Sequence, residues 1–252
     1  MDINILNKIA VEMVADSKGI LAIDESHGTC KKRFDALKID VTEENRRSYR
    51  DMLISANSLS DYISGAILFD ETIRQKTSDG STFPDYLDKV GIIPGIKVDA
   101  GTKPFSSHPN EKITEGLDNL PEKMNEYSSL GAKFAKWRAV ITIGENIPSN
   151  ACMLANSHAL ARYASICQEI NIVPIVEPEV LMDGSHNMSK CFEVTNTMQS
   201  ILFETLDKLD INFSGIILKP NMITPGASCV EKSNPEEIAE LTVKCLGNNV
   251  PK

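Results

Sequence analysis

The 252-residue sequence has no apolar run near the ~18 residues a membrane-spanning helix needs, which argues against a membrane span. Its opening stretch, MDINILNKIAVEMVADSK, carries early acids and no continuous apolar core, so it does not read as a signal peptide. No two of the six cysteines (Cys30, Cys152, Cys167, Cys191, Cys229, Cys245) form a C-x-x-C pair, and free thiols in a reducing cytoplasm are expected. The histidines His27, His108, His158 and His186 lie scattered, without HExxH or H-x-H spacing, so no metal site and no metal cofactor are expected. Low-complexity segments and the phosphate loop G-x-x-x-x-G-K-[ST] are missing too. Basic residues are in deficit: 26 Lys and Arg against 35 Asp and Glu give a net charge of −9. That balance argues weakly against nucleic acid or an anionic membrane as the main partner and leaves room for a local basic pocket.

What is present is ordinary for a globular chain: 42% hydrophobic and 24% charged residues. Helix and strand signals alternate. A first helix is expected from Ile3 to Ala15, capped by Asp2, because Leu6, Ile9, Ala10, Met13 and Val14 share one face. The apolar run Ile20 to Ile23 stops at Asp24-Glu25-Ser26, and a second helix follows Thr42 with Glu43 and Glu44 in its first turn. Five more strands are expected at 65–69, 95–98, 132–138, 173–176 and 215–218, with amphipathic helices at 150–169 and 188–209 among the segments between them. A last helix carries Pro235 near its first turn and Gly247 past its end. The polar stretch from Ser106 to Asn119 is expected to be a long surface loop. Strands alternating with helices mean parallel pairing through crossover helices. The fold class is therefore α/β, and 252 residues suit a TIM (β/α)8-type barrel as one domain over 1–252. Strand centres recur about every 39 residues, so only six of the eight strand–helix units are accounted for.

Charge gathers at the C-terminal ends of these strands. Lys97 and Asp99, Lys136 and Arg138, and Glu177 and Glu179 are two apart, as are Lys219 and Asn221; Asp24 closes the first strand. Residues two apart share a face of a strand, and α/β barrels build their active sites at this end. Lys136 and Lys219 stand within β-forming stretches, where an ammonium is expected to be desolvated and to become a usable amine nucleophile. Lysine with carboxylates and no metal ligands points to Schiff-base chemistry on a carbonyl. The loop from Ser26 to Arg33 offers small residues, a helix start near Thr29, and the cations Lys32 and Arg33, a set that suits a phosphate as well as an ordinary solvated helix turn.

The segments GILAIDESHGTCKKRF, GIKVDAG, GAKFAKWR, IVPIVEPEVLMDGSH and GIILKPNMITPG resemble, in order, those of class I fructose-bisphosphate aldolases. The resemblance runs from about Lys18 to the last residue and implies a role for each matching position. Lys219 of LKPN corresponds to the Schiff-base lysine, and Glu177 of VEPE to the carboxylate that shuttles protons while the imine forms. Glu179 corresponds to a second acid that shapes the lysine's surroundings. Lys136 of AKWR lies beside the reacting carbons, with Arg138 as a neighbouring cation. Asp24 of IDES acts on the hydroxyl whose deprotonation starts carbon–carbon cleavage. Lys97, Thr29, Lys32 and Arg33 fall near the distal phosphate of the substrate.

The implied activity is reversible cleavage of fructose bisphosphate to two triose phosphates, in glycolysis or gluconeogenesis, with no cofactor. A cytoplasmic homotetramer with neither nucleic acid nor membrane as partner goes with it. His27, Cys30, Asp70 and Ala100 depart from the family pattern. The family also continues through two further strands, carrying a Ser-Gly-Gly loop and an arginine, and through an arm ending in tyrosine; this sequence is expected to lack them. Two other readings follow: an impaired aldolase fragment or non-enzymatic scaffold that binds a partner chain or a sugar phosphate, and a different Schiff-base lyase such as a deoxyribose-phosphate aldolase or a transaldolase.

Overall fold

The computed structural model describes residues 1–231 and 233–251. Eight strands are found among them: β1 (Gly19–Ala22), β2 (Ile63–Leu68), β3 (Ile93–Lys97), β4 (Thr102–Pro104), β5 (Lys112–Thr114), β6 (Phe134–Ile141), β7 (Val173–Val180) and β8 (Ile217–Leu218). Six of them form one sheet in the order β1-β2-β3-β6-β7-β8, and its β1/β2, β2/β3, β3/β6 and β7/β8 pairings are parallel. This is the strand–helix alternation of an α/β barrel with six strand–helix units, as the sequence spacing predicts. The chain divides into two compact units, one of residues 1–98, 120–136 and 167–174, the other of residues 99–119, 137–166 and 175–252.

In the first unit, α1 (Ile3–Met13) starts at Asp2, whose carboxylate accepts the Asn4 and Ile5 N–H groups. It buries Leu6, Ala10 and Met13 along one face, as the apolar spacing requires. α2 (His27–Ala36) is capped by Ser26 and α3 (Glu43–Ile54) by Thr42. The single-turn helices α4 (Leu59–Tyr62) and α5 (Asp70–Ile73) flank β2, and α6 (Phe83–Lys89) leads to β3. α7 (Leu120–Ser129) precedes β6 and buries Leu120, Met124 and Tyr127. Two glycines make room for one ring. Gly95 of β3 is in register with Phe134 of β6, and a β-carbon there would stand 2.3 Å from the ring of Phe134; one at Gly65 of β2 would stand 3.0 Å from it. Only a residue without a side chain lets the backbone lie against that ring.

In the second unit, α8 (Asn150–Glu169) packs Tyr163 on the buried Trp137, with ring centroids 5.5 Å apart. α9 (Met188–Lys208) buries Val194, Met198, Leu202 and Leu206, and α10 (Pro235–Asn249) packs against it. Asn234 caps α10, Pro235 occupies its first turn, and Gly247 lies inside the helix rather than beyond its end.

The stretch from Ser106 to Asn119 is not simply a surface loop. β5 lies within it and pairs antiparallel with β4, which lies just before it, and Glu111 and Thr114 are buried. The buried Glu111 carboxylate accepts both the N–H and the hydroxyl of Ser149, each at 2.6 Å, so polar composition here marks an anchor rather than solvent.

Candidate active site

The first unit holds a lysine–carboxylate pair. Asp24 lies two residues beyond β1, and Lys136 is the third residue of β6; Lys136 Nζ stands 2.5 Å from Asp24 Oδ2. Their side chains are 8% and 9% exposed, so each charge is carried by the other in a nearly dry setting. Lys97, the last residue of β3, is in register with Lys136, which sets both lysines on the same face of neighbouring strands. The next N–H along, that of Val98, donates to the Lys136 carbonyl at 3.1 Å. A cavity of about 550 Å³ also belongs to this unit, lined by Ile5 and Ile9 of α1 and by Ile93 and Pro94. It sits at the start of β3, the opposite strand end from Lys97.

The second unit holds two more pairs. Lys219 Nζ donates to Glu177 Oε1, and the Lys219 N–H donates to the Val176 carbonyl at 2.9 Å. The Glu177 side chain is 4% exposed, whereas that of Lys219 is 48% exposed. The sequence reading made Lys219 a desolvated amine, and this needs correcting. Among the described residues β8 is two residues long and pairs only with β7, so Lys219 follows a short edge strand and keeps half its side chain in solvent. The second pair joins the Arg138 guanidinium to Glu179 Oε2, both partly exposed. Asp99 accepts the Arg138 N–H at 3.4 Å, and the Thr114 hydroxyl donates to the Arg138 carbonyl at 2.8 Å, so the Arg138 backbone is held on both its N–H and its carbonyl.

A second correction concerns where these groups sit. β7 runs to Val180, so Glu177 and Glu179 lie inside a strand rather than past its end, and β6 runs on to Ile141, so Lys136 and Arg138 lie within their strand rather than at its end. The loop residues stand otherwise. Thr29 is in the first turn of α2, with its N–H and its hydroxyl both on Ser26 Oγ. Lys32 is exposed on the same helix. Arg33 is bonded to the Glu25 carboxylate and lies 3.0 Å from the Tyr49 hydroxyl, so it is an engaged cation.

Two groups gain a positioning role: Asn221, which the sequence reading noted only as standing two residues from Lys219, and Arg50, which it passed over. Asn221 accepts the Val180 N–H at 3.1 Å and donates to the buried Thr195 hydroxyl and to the Met222 carbonyl. It ties the segment after Lys219 to the end of β7. Arg50 of α3 is buried completely. Its signal is its place on one helical face with Ile54, four residues on, where an aliphatic side chain is the ordinary occupant.

Lysine is the amine this arrangement offers as a nucleophile, and the thiols compete poorly. All six cysteines are free, and five are buried. Burial pushes the thiols of Cys152 and Cys245 up to about 11, against thiolate formation. Among the described residues no three His, Cys, Asp or Glu side chains gather as a metal site requires. An exposed amine hydrogen-bonded to a buried carboxylate can attack a carbonyl and pass its proton on.

Comparison with known proteins gives the same direction. The family model described as glycolytic, fructose-bisphosphate aldolase class-I, matches residues 5–252. A probable fructose-bisphosphate aldolase class 1 from Xanthomonas axonopodis pv. citri is 56% identical over 251 residues, which is 100% of this chain and 75% of that protein. Fructose-bisphosphate aldolase 1 from Toxoplasma gondii is 48% identical over 244 residues, 96% of this chain and 67% of that protein. Among solved structures, a fructose-bisphosphate aldolase from Plasmodium falciparum, in complex with TRAP and a small-molecule inhibitor, superposes with a TM-score of 0.96 at 45% identity. The match covers 98% of this chain and 72% of that one.

Proposed function

The chain belongs to the class I fructose-bisphosphate aldolase family of aldehyde-lyases, and we propose that its reaction runs through a Schiff base on Lys219. The observation that carries this is the bond from the accessible Lys219 ammonium to the buried Glu177 carboxylate. Glu177 takes a proton from the ammonium, and the free amine adds to the ketone of fructose bisphosphate. The carbinolamine then loses water, with Glu177 returning the proton to the departing hydroxyl. The resulting iminium is a positive electron sink.

Asp24 removes the proton from the hydroxyl on the carbon beyond the bond to be broken. That bond's electrons flow into the iminium, glyceraldehyde phosphate leaves, and an enamine stays on Lys219. Protonation and hydrolysis of the enamine release dihydroxyacetone phosphate and restore the amine. Lys136 neutralises Asp24 at rest and stands ready to stabilise the oxygen as its charge develops. Glu179 holds the Arg138 guanidinium in place.

Phosphate recognition on this reading falls to Lys97, to Lys32, to the first-turn N–H groups of α2 around Thr29, and to Arg33. Arg33 binds a phosphate by exchanging Glu25 for it. The same reading makes the protein cytoplasmic and homotetrameric, as the family resemblance implies; among the described residues no helix is long and apolar enough to cross a membrane.

The test is turnover. The purified chain is expected to release glyceraldehyde phosphate from fructose bisphosphate, to leave deoxyribose phosphate uncleaved, and to lose cleavage in Lys219→Met. Retained sugar-phosphate binding without any turnover would favour the scaffold reading and overturn this one.

A further inference from the structure

We propose that Arg50 is a positioning residue for Asp24, setting the direction in which that carboxylate faces the substrate. The inference rests on the role given to Asp24 above. Arg50 extends from α3 to the segment between β1 and α2. Its Nε donates to the Ile23 carbonyl at 3.1 Å, and its Nη2 donates to the Glu25 carbonyl at 2.6 Å. Ile23 and Glu25 are the two chain neighbours of Asp24, so a single planar guanidinium holds the backbone on both sides of the reacting carboxylate. Nη2 also lies 3.8 Å from Cys30 Sγ, and the guanidinium sits 5.6 Å from the centre of the Phe69 ring. The preceding residue adds a third hold: the Tyr49 hydroxyl donates to the Glu25 carboxylate at 3.1 Å.

The choice of residue is informative. Burying a guanidinium completely is costly, and α3 could have filled this space with an aliphatic side chain beside Ile54. Arginine is the side chain whose rigid fork spans two carbonyls at once; lysine offers a single point of attachment. A carboxylate that must take a proton in one direction gains from a backbone that cannot rotate.

The experiment compares Arg50→Lys, Asp24→Asn and the double variant in the full chain. Three quantities are measured: kcat for fructose bisphosphate cleavage, KM, and the rate of borohydride trapping of dihydroxyacetone phosphate on Lys219, a step that does not use Asp24. Arg50→Lys is expected to lower kcat by about 30-fold, in line with the cost of a small misplacement of a reacting group. KM should stay within about twofold and trapping should be unchanged, since binding and imine formation use other residues. In the Asp24→Asn background Arg50→Lys should cost nothing further.

A wild-type kcat in Arg50→Lys would overturn the inference. So would a parallel fall in kcat and trapping, or a full additional loss in the double variant, since either marks general damage. If Arg50→Lys does not fold, Phe69→Leu takes its place, because it removes the ring under the guanidinium, along with that ring's edge contact to the exposed His27, and leaves Arg50 itself intact. A several-fold loss of kcat with normal trapping is then expected, and wild-type behaviour overturns the inference. Wild-type cleavage by Asp24→Asn, or no cleavage by the unaltered chain, is a failure of the site reading itself and takes this inference with it.

Discussion

Lys219 and Lys136 differ in the property that decides which amine a substrate ketone reaches. The Lys219 side chain is half in solvent, and that of Lys136 is almost wholly buried against Asp24. The buried lysine is suited to steadying charge, the open one to making a bond. His186 is a third kind of residue. Neither ring nitrogen has a hydrogen-bond partner among the described residues, and burial alone pulls its pKa below the ordinary 6.5. The unfolded chain therefore takes up a proton at His186 before the folded one does, and stability tied to the neutral ring is full above about 6.5 and falls as pH drops toward the folded value. The urea midpoint is expected to decline between pH 7.5 and 5.5, and the decline should be shallower in His186→Gln; equal slopes in the two proteins would contradict this. The charged residues at the strand ends were legible in the sequence, but their pairing was not, since Lys136 meets Asp24 and Lys219 meets Glu177 from different segments of the chain. Which lysine would be dry was not legible: that depends on β6 having neighbours on both sides and β8 on one. The engagement of Arg33 by Glu25 and Tyr49 was hidden for a similar reason, since Tyr49 arrives from another helix.

The β4–β5 hairpin shows what an element owes to one buried carboxylate. Glu111 accepts two bonds from Ser149, and the Ser149 hydroxyl in turn accepts the Cys152 N–H at 3.1 Å, closing the first turn of α8. The same hairpin holds the backbone carbonyl of Arg138 through Thr114. Glu111→Ala strands the Ser149 N–H and hydroxyl where water reaches poorly, which should cost about 1–3 kcal/mol. A thermal melt should show a lower Tm in Glu111→Ala and a smaller drop in Glu111→Gln, which keeps an acceptor; an unchanged Tm in Glu111→Ala would contradict the anchoring role. Sequence polarity misdescribed this stretch because hydrophilic residues can be buried once their partners are arranged. Helices announced by caps, such as those begun by Asp2 and Thr42, were readable to within a residue or two at their starts, since the capping side chain does the same thing in isolation as in the fold.

At the scale of the molecule, a six-stranded sheet with intervening helices follows from the even spacing of apolar runs. The chain spans three quarters of the length of its Xanthomonas relative. Its net charge of −9 goes with cations that are paired at rest: Lys136 with Asp24 and Arg138 with Glu179. The central claim is that one amine, that of Lys219, carries the substrate covalently. Borohydride reduction in the presence of dihydroxyacetone phosphate, followed by peptide mass analysis, tests it most directly. The account predicts one stable adduct, on the peptide containing Lys219, lost in Lys219→Met. Folded protein with no adduct, or with the adduct on Lys136, would contradict it.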